Sequence, residues 1–279
     1  MFCLVTVYAC NLEGKIISKE VKDGMYWPMA YVLVQLLIQF SAVFFLSFWA
    51  CFPAGYPLAN FPWSGFLRYW LVYFSMLMTT ECTAQAFSLL ANPLFGLMNY
   101  MQVWFMAFLF NGISVPVKSV IWPFRSLCYA TPYRWGQAAL CYIAFIDSPD
   151  YAGAERCTAS EVANGSVIYC NMAYPDSDGH GFFCPELPAA ACYGRTGAQI
   201  LTSLGFNFQT ISADDEWLPY SGLVFAQVVF WKVLFLLLFV WSSRRMQTPG
   251  PSQGVAVVVP KHAADSSLLQ SAGVQALTE

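Results

Sequence analysis

No charged side chain occurs between Asp23 and Arg68. That interval contains Pro28 to Phe52, an apolar run long enough to cross a bilayer as a helix, which takes about 20 residues. A water-soluble fold would have to bury such a run behind charged surface, and this chain has little of it. Hydrophobic residues make up 58% and charged residues 10% of the sequence, against about 25% charged in ordinary soluble domains. The mean hydropathy of +0.51 agrees. Lipid supplies no partners for backbone polar groups, so helices are the expected crossing elements. The expected fold class is an all-α integral membrane protein. With no run of basic residues and one histidine outside the tail, His180, the chain offers nothing for nucleic acid.

Charge and hydropathy divide the chain into six parts. Residues 1–10 are apolar but reach only about 15 Å as a helix. They read as the end of a spanning helix that begins before this chain, or as a short interfacial anchor. They lack the basic flank and cleavage site of a signal peptide. Residues 11–27 are polar and helix-compatible, with Lys15, Lys19 and Lys22 against Glu13, Glu20 and Asp23. Lysines beside a span mark the cytoplasmic side. Residues 28–146 are expected to hold three spans, Pro28 to Phe52, Gly65 to Leu90 and Leu94 to Ile113 or Val115, followed by a re-entrant hairpin. The hairpin is preferred to a further crossing because Arg125 and Arg134 flank Pro132 there. Residues 147–217 carry ten acidic and two basic side chains and read as an external loop. The last span is expected over 218–243, closed by Arg244-Arg245 on the inner side, with a disordered cytoplasmic tail over 244–279.

Four polar side chains within the expected spans stand out: Gln35, Gln39, Glu81 and Lys232. Gln35 and Gln39 lie four apart on one helix face and face either other helices or a substrate. Glu81 sits among Thr79, Thr80, Cys82, Thr83 and Gln85. A charge at membrane depth is costly unless paired or hydrated, so Glu81 is either a functional polar site or a residue near the inner interface. Lys232, near the middle of the last span, either pairs with Glu81 or snorkels to the headgroups. In the external loop, Cys157, Cys170, Cys184 and Cys192 are expected to form two disulfides, with three pairings open. No Cys-x-x-Cys pair occurs, so no metal site is expected. Asn164-Gly165-Ser166 is a glycosylation acceptor pattern.

Two ordered motifs now carry a resemblance. Glu13, Lys19-Glu20, Gly24-Met25-Tyr26 and Ala30-Tyr31, ahead of a long span, resemble a segment of the G-subfamily and pleiotropic-drug-resistance ABC transporters. Asn92-Pro93, Leu109-Phe110-Asn111-Gly112, Pro116, Trp122-Pro123 and Pro132-Tyr133 are similar to a second segment of the same transporters. The sequence departs from that pattern at Asn111, often Ser, and at Leu127, often Trp. The resemblance implies a partial six-helix ABC exporter transmembrane domain, with re-entrant helices and a cysteine-containing external loop. This chain would supply the end of the second helix and helices three to six. It implies that Glu13, Lys19, Glu20, Gly24 and Tyr26 couple to a nucleotide-binding domain, and that Gln102, Phe105, Phe108 and Asn111 face a substrate cavity. Partners would be membrane lipid, that domain and a second transmembrane half.

The chain contains neither a G-x-x-x-x-G-K-[ST] phosphate loop nor a Leu-Ser-Gly-Gly segment. ATP is therefore expected on the nucleotide-binding domain, with no catalytic residue and no enzyme activity in this chain, which reads as a C-terminal piece of a longer transporter. The expected function is export of apolar or amphipathic compounds, drugs or lipids, by a multi-pass protein of the plasma membrane. The alternative is a truncated, non-transporting membrane protein or pairing scaffold. A membrane-embedded enzyme lacks ingredients, since His180 and His262 fall in a loop and the tail and the spans hold no paired carboxylates.

Overall fold

The helix at the centre of the molecule is less apolar than the two long enough and apolar enough to cross a membrane. This computed structural model describes residues 2–25, 27–53, 62–148, 150–151, 153–158, 169–188, 191–214 and 216–245. Tyr26, Asn164 and the tail beyond residue 245 lie outside them. The elements run α1 (Phe2–Lys22), α2 (Pro28–Pro53), α3 (Trp63–Ser88), α4 (Pro93–Leu109), a 3-10 turn (Val117–Ser119), α5 (Arg125–Ala130), α6 (Pro132–Ile146), β1 (Glu155–Arg156), β2 (Phe182–Phe183), α7 (Gly197–Asn207) and α8 (Trp217–Arg245). Residues 1–243 form one unit; of a second, 244–279, only its first two residues are described.

α3 packs against α1, α2, α4 and α6, and α8 joins it through side chains. Its buried residues run from Gly65 to Ser88. Other helices cover most of it, so serine, threonine, glutamine and glutamate are tolerated on its buried faces. α2 and α8 are the two helices long and apolar enough to cross a membrane. α2 buries a narrow stripe, Val32, Gln39, Val43, Ser47 and Cys51, and exposes large apolar residues elsewhere, among them Leu37, Ile38, Phe45 and Trp49.

α1 is one helix of 21 residues, so the apolar residues 2–10 and the polar segment from residue 11 onward share a single rod. Val7, Asn11 and Ser18 are its buried face, spaced as helical periodicity requires. Its end is set by Gly24, at φ +74°. The Met25 N–H donates to Glu20 O and the Gly24 N–H to Val21 O, the two bonds of a Schellman cap.

The third expected span ends early. α4 stops at Leu109 after 17 residues, not at Ile113 or Val115. Beyond it, Asn111 Oδ1 accepts from the N–H groups of Ile113 and Ser114 at 2.8 and 2.9 Å, and Gly112 turns the chain at φ +84°. α5 and α6 contain 6 and 15 residues and break at Thr131-Pro132. Each is shorter than the about 20 residues a crossing needs.

The described residues of 147–217 hold more structure than a loop, and they add strands to a fold expected to be wholly helical. β1 and β2 pair antiparallel, Glu155 opposite Phe183 and Arg156 opposite Phe182. Disulfides join Cys157 to Cys170 and Cys184 to Cys192. α7 opens with a capping box, Thr196 and Gln199 each satisfying the other's backbone N–H. A Cβ at Gly197 would collide with the carbonyl of Phe145, so only glycine lets α7 sit this close to the end of α6.

Candidate functional site

Lys232 of α8 points into the bundle and donates to the side-chain oxygens of Gln39 on α2 and Gln85 on α3. The two amides are 8% and 2% exposed. Gln39 in turn offers its Nε2 to the Cys82 thiol at 3.9 Å. Val43, Phe74, Met78 and Val228 pack around this junction. Three helices therefore meet on one cation, which faces two carbonyl dipoles rather than a carboxylate. Among the described residues no ion pair joins Lys232 to Glu81, one of the two partnerships open from sequence. Glu81, 7% exposed, stands beside Cys3 of α1. Gln35 turns from its neighbour Gln39 to α1, donating to Cys10 Sγ at 3.3 Å.

The seam between α1 and α3 repeats every four residues. The Cys3 thiol bonds Thr80 Oγ1 at 3.7 Å, Val7 packs with Ala84, and Asn11 Nδ2 donates to Ser88 O at 2.6 Å. Asn11 Nδ2 also reaches Leu90 O at 2.7 Å. One buried amide thus ties α1 to the turn between α3 and α4. Beyond it, Glu13 and Lys19 are exposed and Glu20 half-buried, with Gly24 capping the helix and Tyr26 outside the described residues.

A cavity of about 440 Å³ lies between α3, α4 and the α5–α6 corner, closed by Trp231 of α8. Gln102 lines it. Phe105 and Phe108, 55% and 46% exposed, do not, and Asn111, 3% exposed, is spent on the turn after α4. The walls that sequence reasoning missed are aromatic: Tyr100, Trp104, Phe110, Tyr133 and Trp231. The Trp104 indole N–H donates to Tyr133 Oη at 3.0 Å, fixing both rings. Such a pair leaves no periodicity to read, because its members sit on different helices 29 residues apart.

The other end of the bundle is pinned by Arg68 of α3, which lies 3.7 Å from Asp147 at the end of α6 and over the Trp217 ring that opens α8, 5.6 Å from its centroid. The segment after α6 carries the disulfides, α7 and Thr210, whose Oγ1 donates to Gly112 O at 3.1 Å. Within that segment Arg156 pairs with Asp176 at 2.6 Å and Asp178 at 2.9 Å. Burial opposes ionisation of Asp176, but the His180 and Asp178 N–H groups and Arg156 outweigh it and hold the carboxyl below its usual range. The acceptor position Asn164 is outside the described residues.

Two helices long and apolar enough to cross a membrane, α2 and α8, flank a polar, helix-wrapped α3. Residues 1–145 match the family model described as ABC-2 type transporter, and the chain belongs to that family as a membrane domain with a role in ABC transport. The match ends within one residue of α6, so the disulfide-linked segment, α7 and α8 lie beyond it. Comparison with curated proteins gave no match.

Proposed function

We propose that this chain is the transmembrane part of a multi-pass, ATP-driven exporter of the G-subfamily or pleiotropic-drug-resistance kind, moving apolar or amphipathic compounds, drugs or lipids, across the plasma membrane. The observation that carries the reading is the attachment of α1. Asn11 binds α1 to the turn joining α3 and α4, and those two helices wall the cavity. A nucleotide-binding domain pressing on Glu13, Lys19, Glu20 and the Gly24 cap would shift α1, and with it the cavity walls, in a rocking alternation of access. α5 and α6 form the re-entrant pair of this reading.

On this reading ATP binds the partner nucleotide-binding domain. The sequence has no phosphate loop. Nucleotide chemistry therefore belongs to the partner domain, and the residues here supply contact, pivoting and an apolar path.

The test is uptake of an amphipathic fluorescent dye into inside-out vesicles holding the chain in its assembled transporter. Uptake should require ATP and fall about tenfold, a loss of 1.4 kcal/mol of coupling, when Glu13 and Lys19 are both replaced by alanine. ATP-independent uptake, or uptake untouched by the double substitution, defeats the reading. The missing phosphate loop also fits a second reading, a pairing scaffold; an intact assembly with no dye uptake would favour it.

A further inference from the structure

We propose that the cavity beside α4 is a resident site for one anionic phospholipid, with an acyl chain inside it and the phosphate on the arginines of the α5–α6 corner. The inference rests on the membrane-domain assignment and not on export.

The cavity is chemically suited to hydrocarbon. Its threonine hydroxyls already donate: Thr80 to Leu77 O and Thr83 to Thr79 O, each at 2.8 Å, and Thr131 to Cys128 O at 3.3 Å. The Trp104 indole is taken by Tyr133. Gln102 is the one amide side chain among the lining residues. A buried water needs two to four polar partners, and these mostly apolar walls offer few. The volume of about 440 Å³ is that of a ligand site, which typically spans roughly 300–1,000 Å³.

Its position selects a bilayer lipid. Trp231 lies at mid-length of the membrane-crossing segment Trp217–Ser243, so the cavity sits at hydrocarbon depth. On its α4 side, Val103, Trp104 and Met106 are each 40% exposed, which leaves it open away from the bundle, where lipid chains are the surrounding medium.

The headgroup preference comes from a separate observation. Leu127, Ala130, Thr131, Pro132 and Tyr133 of the α5–α6 corner wall the cavity, and the same corner carries Arg125 and Arg134. The Arg134 guanidinium stacks on Tyr129 at 4.2 Å and Trp135 at 5.1 Å, and that of Arg125 lies over Trp122 at 6.0 Å. Nε of both arginines and Nη1 of Arg134 are buried without a hydrogen-bond partner. Among the described residues neither arginine has a carboxylate within ion-pair range. A guanidinium stacked on a ring keeps its N–H edge for a planar or tetrahedral oxyanion, and phosphate is the oxyanion a membrane supplies.

The test uses the assembled transporter in detergent without nucleotide, so a failure of export does not affect it. Phosphatidylglycerol should raise the melting temperature by about 5 °C at saturation, and phosphatidylcholine by clearly less. Val103→Trp, which fills the cavity, and Arg134→Gln should each abolish the difference, whereas Arg134→Lys should retain part of it. A phosphatidylglycerol carrying a diazirine in its acyl chain should label the peptide containing Gln102 to Phe110 or that containing Trp231. Equal shifts with both lipids, a shift reproduced by glycerol phosphate alone, a shift that survives Val103→Trp, or labelling confined to the exposed face of α2 would overturn the proposal. Should Arg134→Gln fail to fold, Val103→Trp and the photolabel decide it.

Discussion

At the scale of single residues, the polar groups of the bundle are partnered by one another more than by opposite charge. Lys232 is the clearest case, with two amide oxygens on two other helices. Lys232→Met should destabilise the protein by about 1 kcal/mol, the size of such bonds within membranes, read from thermal unfolding in detergent. Gln85→Leu should then cost less in the Lys232→Met background than alone, and equal costs would show that the two side chains are not coupled. Outside the bundle, Asp176 gives a pH dependence. Its folded carboxyl titrates below the ordinary aspartate value, about 3.9 in unfolded chains. It therefore stabilises the disulfide-linked segment above about pH 4, and that stabilisation disappears as pH falls through the depressed value. Protease resistance of the segment should drop over that window, and Asp176→Asn should remove the dependence. The sequence singled out Lys232, Gln39 and Glu81 as polar side chains within the spans, and left snorkelling open for Lys232 and an interfacial place open for Glu81. It could not assign partners, since that depends on how α2, α3 and α8 are rotated about their axes.

At the scale of elements, what the sequence showed follows from local chemistry. The starts of α2 and α4 are written in Pro28 and in Asn92-Pro93, and in the structure Asn92 Oδ1 accepts from the Leu94 N–H at 3.0 Å. Thr196 and Gln199 spell the capping box of α7 at the spacing such boxes require, a signal that reading the region as an acidic external loop obscured. The end of α4 was misplaced because Phe110 to Val115 is apolar apart from Asn111, Gly112 and Ser114, and hydropathy does not register a side chain that caps its own turn. Gly24 is the opposite case. It stood out as part of a family-like motif, and the Schellman bonds give the physical reason. Gly24→Ala should cost about 1–2 kcal/mol, the penalty of a left-handed conformation with a Cβ, and should appear as fraying of the last turn of α1 in amide hydrogen exchange. Unchanged protection of Asp23 to Met25 would mean that the cap contributes nothing.

At the scale of the whole molecule, the cavity was only partly legible. Gln102 faces it, but Trp104, Tyr133 and Trp231 became wall residues through packing between elements far apart in sequence. The seam holding α1 to α3 was equally hidden, although Cys3, Val7 and Asn11 keep a regular four-residue step. Asn11→Leu should leave α1 helical while abolishing ATP-dependent dye uptake in the assembled transporter. Helicity by circular dichroism and uptake should thus separate; loss of both together would mark Asn11 as a folding residue only. The place of Asn11 along α1 has a mechanical consequence. Nine residues separate it from Phe2 and eleven from Lys22, lengths of about 14 and 17 Å at the helical rise. If the rod swings about that anchored amide, the two arms are nearly equal, so α1 behaves as a balanced lever. A displacement delivered at Lys19 would reach Cys3 and Thr80 at close to its original size and in the opposite sense, neither amplified nor lost.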